Sequence, residues 1–297
     1  MKARIVWLVL CGIWGSTWLF IKLGLRDLPP LSFAAIRFAL ATLILSSIVA
    51  ARRRPMPRAG ADWALIAATG VFAFALNYGL LFWGEQHISS GLAALLQATI
   101  PVFGMLFAHL HLPGERLTAA KMSGVLLGVA GVGVIFSNQL SVAGPMALWG
   151  SVAIVVGAVC VAYANVLVKA RGGGIDPALL AAGQMFCGLV PLAAAGLLFE
   201  GSPASFRWTT TAVVSLLYLT VVGSVVAFLL FYWLVRNMDV TKTMLIALVT
   251  PLFAVLLGMA ALGEELAWRT LAGGALIMSG IAVVVLPRVR KEAARDE

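Results

Sequence analysis

The chain has 297 residues, of which 62% are hydrophobic and only 11% charged, with a net charge of +9. A soluble domain carries about a quarter of its residues as charges, so this composition excludes one and indicates a polytopic membrane protein. The positive charge is confined almost entirely to the gaps between apolar runs. That distribution sets nucleic acid aside as a partner and leaves the lipid bilayer, whose anionic headgroups attract such clusters.

Apolar runs of about 20 residues cross a hydrocarbon core of roughly 30 Å as helix. They predict ten spans, at 4–23, 31–51, 63–84, 89–110, 117–137, 145–169, 177–199, 209–235, 240–262 and 267–287. The first begins like a secretory signal, but Trp14, Trp18 and Phe20 extend it to full membrane length and no small-residue cleavage site ends it. It places Trp14 and Trp18 at i, i+4 with Thr17 beside them. The second carries Arg37 about seven residues in, about 10 Å below the outer surface at 1.5 Å per residue. Such an arginine either snorkels to the interface or serves an outer gate, near a substrate carboxylate. The third span sets Phe74, Asn77, Tyr78 and Leu81 on one stripe; the fourth holds Ser90, Gln97 and Pro101. Gly124 and Gly128 give the fifth a small face for packing within the molecule. The sixth brings Tyr163 and Asn165, the seventh Gln184, and the ninth Thr250 and Pro251.

The pattern occurs twice. Leu95, Pro101, Phe103, Leu106, Leu112, Glu115 and Gly124 recur at an offset of 150 as Leu245, Pro251, Phe253, Leu256, Leu262, Glu265 and Gly274. Lys22 and the stretch from Pro30 to Arg37 correspond to Lys169 and the stretch from Pro177 to Gln184 at an offset of 147. The chain thus divides into two repeats, residues 1–137 and 138–297, of five spans each. Five is odd, so the second repeat enters the membrane in the opposite sense, as in carriers that open one midplane site alternately to each side.

With ten spans the termini share a side. That side receives Lys2, Arg4, Arg52, Arg53, Arg54, Arg58, Arg116, Lys121, Lys169, Arg171, Arg236, Lys242, Arg288, Arg290, Lys291 and Arg295. The other receives Lys22, Arg26, Arg207 and Arg269. Basic residues concentrate on the cytoplasmic side of membrane proteins, so both termini are expected there, in a bacterial-type inner membrane.

Two five-helix repeats, the Trp14-Gly15-Ser16-Thr17-Trp18 run, the Arg37-Phe38 pair, and a proline-kinked fourth span leading to Gly114-Glu115 resemble the EamA-type branch of the drug/metabolite transporter superfamily. The resemblance covers about residues 4–137 and 145–287. It implies an all-α membrane fold of ten helices in two inverted five-helix repeats, and carrier-mediated movement of small metabolites, often outward. The family includes exporters of amino acids, aromatic ones among them, and carriers of other small metabolites.

A central cavity is expected, walled by Trp14, Thr17, Trp18, Phe74, Asn77, Tyr78, Gln97, Tyr163, Asn165 and Gln184. Aromatic walls with a few uncharged hydrogen-bonding groups suit a compact solute with an apolar side chain. A neutral or aromatic amino acid is the first expectation, with purine-type or drug-like compounds the alternative. The competing reading puts these aromatics in the headgroup belt and uses the amides to join helices. Pro101 and Pro251 are expected mid-span kinks that free the carbonyls of Gln97 and Ala247 and mark the gates. Asp62, Glu85, Glu115, Glu200, Asp239, Glu264 and Glu265 all count as terminal to spans, so facilitated transport without a proton relay is expected, with His87 or a loop carboxylate as the remaining coupling candidates. Glu115 and Glu265 suit helix N-termini. No HExxH, P-loop or GxSxG occurs, His109 and His111 lack a third ligand, and Cys11, Cys160 and Cys187 are isolated, so no enzyme, metal or cofactor is expected. A channel is the rival class, but it needs a polar or charged pore ring. The expected partners are a small-molecule substrate and lipid, with the protein a monomer.

Overall fold

Inside a bilayer each backbone N–H and C=O must be satisfied within the protein, and this chain meets that demand with helices. The computed structural model describes residues 2–53, 56–113, 118–138, 144–237 and 246–293, and no strand occurs among them. The expectations placed on Arg54, Gly114, Glu115, Arg116, Asp239, Lys242 and Arg295 lie outside the described residues. In chain order the helices are α1 (Lys2–Gly24), α2 (Pro30–Ala51), α3 (Gly60–His87), α4 (Ser90–His111) and α5 (Ala119–Asn138). There follow α6 (Gly144–Arg171), α7 (Pro177–Phe199), α8 (210–237), α9 (Ile246–Leu262) and α10 (Trp268–Ala293). Helices α1 to α4 and α6 to α8 supply the 7 stretches that are long and apolar enough to cross a membrane. Shorter apolar stretches lie in α5, α9 and α10.

The ends of these helices follow local chemistry. Proline opens α2 and α7, where its missing N–H is no loss. Asp176 caps α7 by accepting from Ala178 N at 3.0 Å, and Ser89 and Thr209 cap α4 and α8 in the same way. Gly263, at φ +65°, takes the left-handed conformation that ends α9.

Two helices depart from regular α geometry at related places. A π-helical turn interrupts α3 at Val71–Leu76 and another interrupts α8 at Val221–Val226, the same positions at the offset of 150. The interruption in α4 is a break rather than a kink. Ala98 and Thr99 leave the helix, with Thr99 N bonded to Leu96 O at 3.1 Å and Val102 N to Thr99 O at 2.9 Å. Pro101 therefore sits in the first turn of the second half of α4 and not in a helix interior as the sequence implied. The helix has already stopped before the proline, because the pyrrolidine cannot bond the Gln97 carbonyl. Pro251 does lie inside α9.

Packing pairs α1 with α8 and α9, α6 with α3 and α4, α2 with α7, and α5 with α10. Exchanging every helix for the one five positions away leaves this set unchanged. Close contacts rest on glycine: a Cβ on Gly84 of α3 would lie 2.6 Å from the Gly150 carbonyl of α6, and one on Gly280 of α10 would lie 2.5 Å from the Gly124 carbonyl. Gly124 is thus used inside the molecule. The main core gathers around Phe33, Phe38, Phe82 and Met185. Large apolar side chains such as Leu43, Leu126, Trp149, Leu198 and Phe199 point outward, as a lipid-facing surface requires.

Candidate functional site

Between these helices lies a cavity of ≈ 370 Å³. One wall is aromatic. Trp14 meets Phe228 edge-on at 6.2 Å and Phe231 at 5.3 Å, while Phe74 stacks with Tyr78 at 5.9 Å. Rings in such contact hold each other in position, and the wall is apolar and stiff.

The polar groups are few and mostly engaged with one another. The π turn in α3 adds a residue just before Asn77, resetting the rotation of the segment that carries Asn77, Tyr78 and Leu81. Gln97 Nε2, from the turn of α4 just before its break, donates to Asn77 Oδ1 at 2.7 Å; Gln97 Oε1 is buried with no partner. Gln184 Nε2 donates to Thr69 Oγ1 at 2.8 Å, and Thr17 Oγ1 donates to the Trp14 carbonyl at 2.7 Å.

Arg37 is the one charged side chain in the lining. It is 2% exposed, so it does not snorkel. Its Nε donates to Ser224 Oγ at 3.0 Å, and its guanidinium lies 5.2 Å from the Tyr78 ring centroid and 5.3 Å from that of Phe38. Nη1 is buried and has no hydrogen-bond partner, and among the described residues no carboxylate pairs with Arg37. The rings contribute attraction to a desolvated cation. They do not neutralise it.

Every residue expected to line the cavity does so except Tyr163. The Tyr163 ring packs instead against Phe72, Phe107 and His111, at 5.3 to 5.6 Å. Two residues along an α-helix turn by about 200°, so Asn165 faces the cavity and Tyr163 faces away. Phe228 and Phe231 went unrecognised in the sequence, although the repeat contains the signal: they are Tyr78 and Leu81 at the offset of 150. The lining is in fact largely made of such pairs. Trp14 and Val161, Trp18 and Asn165, Ile21 and Val168, Arg37 and Gln184, and Ile100 and Thr250 all face it.

The two ends of the cavity differ. At one it reaches Val168 and Leu180, which flank the 172–176 segment. At the other it stops at Ile21 and Leu81, one turn or less from Lys22 and Glu85, where several contacts close the molecule. Lys22 Nζ donates to the carbonyls of Glu85 and Ile88, at 2.5 and 2.6 Å. Glu264 accepts from Ser90 N and Ser90 Oγ, each at 2.8 Å, and so caps α4. Glu265, expected to serve as an N-terminal carboxylate, is exposed between α9 and α10. Glu85 also departs from expectation. It is 0% exposed, because α6 comes close enough over Gly84 to cover it.

The model of the EamA-like transporter family matches residues 2–137 and 148–286. The chain is 31% identical to the uncharacterized transporter YvbV of Bacillus subtilis, over 95% of this chain and 91% of that one. It is 30% identical to the uncharacterized inner membrane transporter YedA of Escherichia coli K12, over 92% and 87%. A crystal structure of a protein 22% identical superposes with a TM-score of 0.67 over 98% of this chain and 99% of its own, which shows a shared fold. With a family match over nearly the whole length and an all-helical, membrane-spanning architecture, the chain belongs to the EamA-like transporter family and is a multi-pass membrane transporter.

Proposed function

We propose that this transporter is a carrier that exports neutral amino acids, aromatic ones among them, by alternating access to the central cavity. The observation that carries the reading is Arg37, a buried guanidinium in an aromatic chamber with a free Nη1 and no carboxylate of the protein beside it. A buried cation without a counter-ion is costly, and a solute carboxylate supplies the missing anion. The rings of Trp14, Phe74 and Phe228 then receive an apolar side chain, and the free Gln97 Oε1 accepts from the solute's ammonium group. A volume of ≈ 370 Å³ is within the usual range for small-molecule sites.

Alternating access is supported by symmetry. The main helix pairings are unchanged on exchanging the halves, the π turns recur at one offset, and repeat-related residues line the same cavity. Two inverted five-helix repeats, 1–137 and 138–297, account for all three. With the basic side in the cytoplasm, the Lys22–Glu85 end is extracellular and closed, and the cavity loads from inside. The test is a binding panel on purified protein that pairs each amino acid with its amide. The acid is expected to bind and the amide to bind at least tenfold more weakly. Equal binding of both, or preference for a neutral purine, overturns the assignment.

A further inference from the structure

A second hollow lies apart from the central cavity, where the C-terminal end of α2 meets the N-terminal end of α7. Its volume is ≈ 250 Å³. Val49, Leu179 and Ala182 are buried and form an apolar floor, while Ser46, Ala50 and Arg53 are exposed at the rim. Leu43, Ser46 and Ala50 fall at i, i+3 and i+7 and so form one stripe of α2, with Arg53 in the turn that ends the helix. Leu179, Ala182 and Phe186 repeat that spacing on α7. Leu43 and Phe186, the deepest members of the two stripes, are exposed. The hollow is therefore a groove with a cation at its mouth and apolar residues running from it into the membrane. Arg53 has φ +49°, a left-handed conformation that glycine reaches with less strain, and its N–H bonds the Ala50 carbonyl at 3.0 Å. Among the described residues no carboxylate pairs with its guanidinium.

The repeat shows that the fold does not require this groove. At the offset of 147, Arg53 corresponds to Glu200, Val49 to Gly196 and Leu179 to Ser32. At the other end of the same helix pair the equivalent place is filled. The Glu200 carboxylate accepts from Leu31 N at 2.8 Å and from Ser32 N at 2.7 Å. Gly196 lets the helices close there, since a Cβ on it would lie 2.6 Å from Ser32 Oγ. At the Arg53 end the larger Val49 and Leu179 stand in those positions. The matching amides, of Ala178 and Leu179, are capped from within α7 by Asp176, which does not line the groove. One end is sealed by the protein's own carboxylate; the other keeps open space and a positive charge.

We propose that this groove binds an anionic phospholipid, its phosphate on Arg53 and one acyl chain laid along Ala182, Leu43 and Phe186. A guanidinium pairs with phosphate through charge-assisted hydrogen bonds, and Ser46 offers a hydroxyl to the ester region below it. Arg52 and Arg58 at the same end add attraction for a headgroup of net negative charge. The apolar stripes select a lipid over a free phosphate, which would use the cation and leave the groove unfilled.

Native mass spectrometry of the full chain in detergent tests this, with separate titrations of phosphatidylglycerol, phosphatidylcholine, diacylglycerol and inorganic phosphate. Phosphatidylglycerol is expected to form a one-to-one adduct severalfold tighter than phosphatidylcholine, and diacylglycerol and inorganic phosphate to form none. Arg53→Gly, which suits the left-handed backbone, is expected to weaken the phosphatidylglycerol adduct severalfold. Ala50→Trp, which fills the groove from its exposed rim, is expected to do the same, so either variant serves if the other fails to assemble. Arg58→Gln, outside the lining, is expected to leave the adduct unchanged. Equal binding of phosphatidylglycerol and phosphatidylcholine overturns the proposal, as does an adduct indifferent to Arg53→Gly or Ala50→Trp. Equal loss in Arg58→Gln reduces the effect to general surface charge and also overturns it. An inorganic phosphate adduct that Arg53→Gly removes makes this a free-anion site and overturns the lipid assignment.

Discussion

Gln97 and Asn77 form one hydrogen-bonded amide pair at the cavity wall, so neither acts alone. Replacing Gln97 by Ala removes the free Oε1 and leaves Asn77 Oδ1 without its donor. A loss of about 1 kcal/mol is expected for an ordinary hydrogen bond, or a roughly fivefold weaker Kd. Asn77→Ala is expected to cost a similar amount and the double variant less than the sum, because both interrupt the same pair. Calorimetric titration of the three variants checks this; strict additivity argues that the amides act separately. At Arg37 the loss is larger. Arg37→Gln removes a charge-assisted bond worth about 1.5–3 kcal/mol, so amino-acid binding is expected to weaken by about tenfold or more while binding of the amide changes little. Equal weakening of acid and amide indicates a packing role.

These side chains were legible in the sequence because a polar residue in an apolar span needs a partner or a cavity. Glu85 was not. It lies at a predicted span boundary, and its burial depends on how closely α6 approaches at Gly84 and Gly150, a tertiary fact that hydropathy does not encode. Tyr163 was misplaced because the polar residues of its span were taken together, without the helical rotation of about 200° that separates it from Asn165.

At the scale of the element, the π turns and the break in α4 control what the cavity presents. Each π turn holds one residue beyond α-helical register, so deleting Ala73 is expected to return α3 to regular α-helix. That change rotates one flank against the other by about 100° and separates Asn77 from Gln97. The variant is expected to remain helical by circular dichroism and to lose substrate binding. Retained affinity argues that the turn is incidental. Pro101 acts at the break. Alanine there restores an N–H that can bond the Gln97 carbonyl and fuse the halves of α4, so turnover is expected to fall with little change in half-saturating concentration. Pro251→Ala is expected to slow the opposite gate, and initial rates in oriented vesicles distinguish the two. The sequence located these places through the repeated prolines, but neither the break at Ala98 and Thr99 nor the π turns leave a residue signature of their own. Both are adjustments of backbone bonding and not of composition.

For the molecule as a whole, the proposed orientation rests on the distribution of basic residues between the two ends. A thiol placed at Ala204, between α7 and α8, is expected to react with an impermeant reagent from outside, and one at Arg53 only after the membrane is opened. The reverse pattern inverts the assignment of the gates. The all-helical, membrane-spanning character was readable in advance because apolar runs of about 20 residues can cross a bilayer only with their backbone groups satisfied as helix. Which end is closed was not readable, since it depends on contacts such as Glu264 with Ser90 that form between distant segments. Alternating access through the central cavity is tested most directly by counterflow. Proteoliposomes loaded with an excess of unlabelled aromatic amino acid, diluted into a trace of the labelled compound, are expected to accumulate label transiently above its equilibrium level, with an initial rate that saturates. Entry that rises linearly with concentration and never overshoots is the behaviour of an open pore, and it contradicts the account.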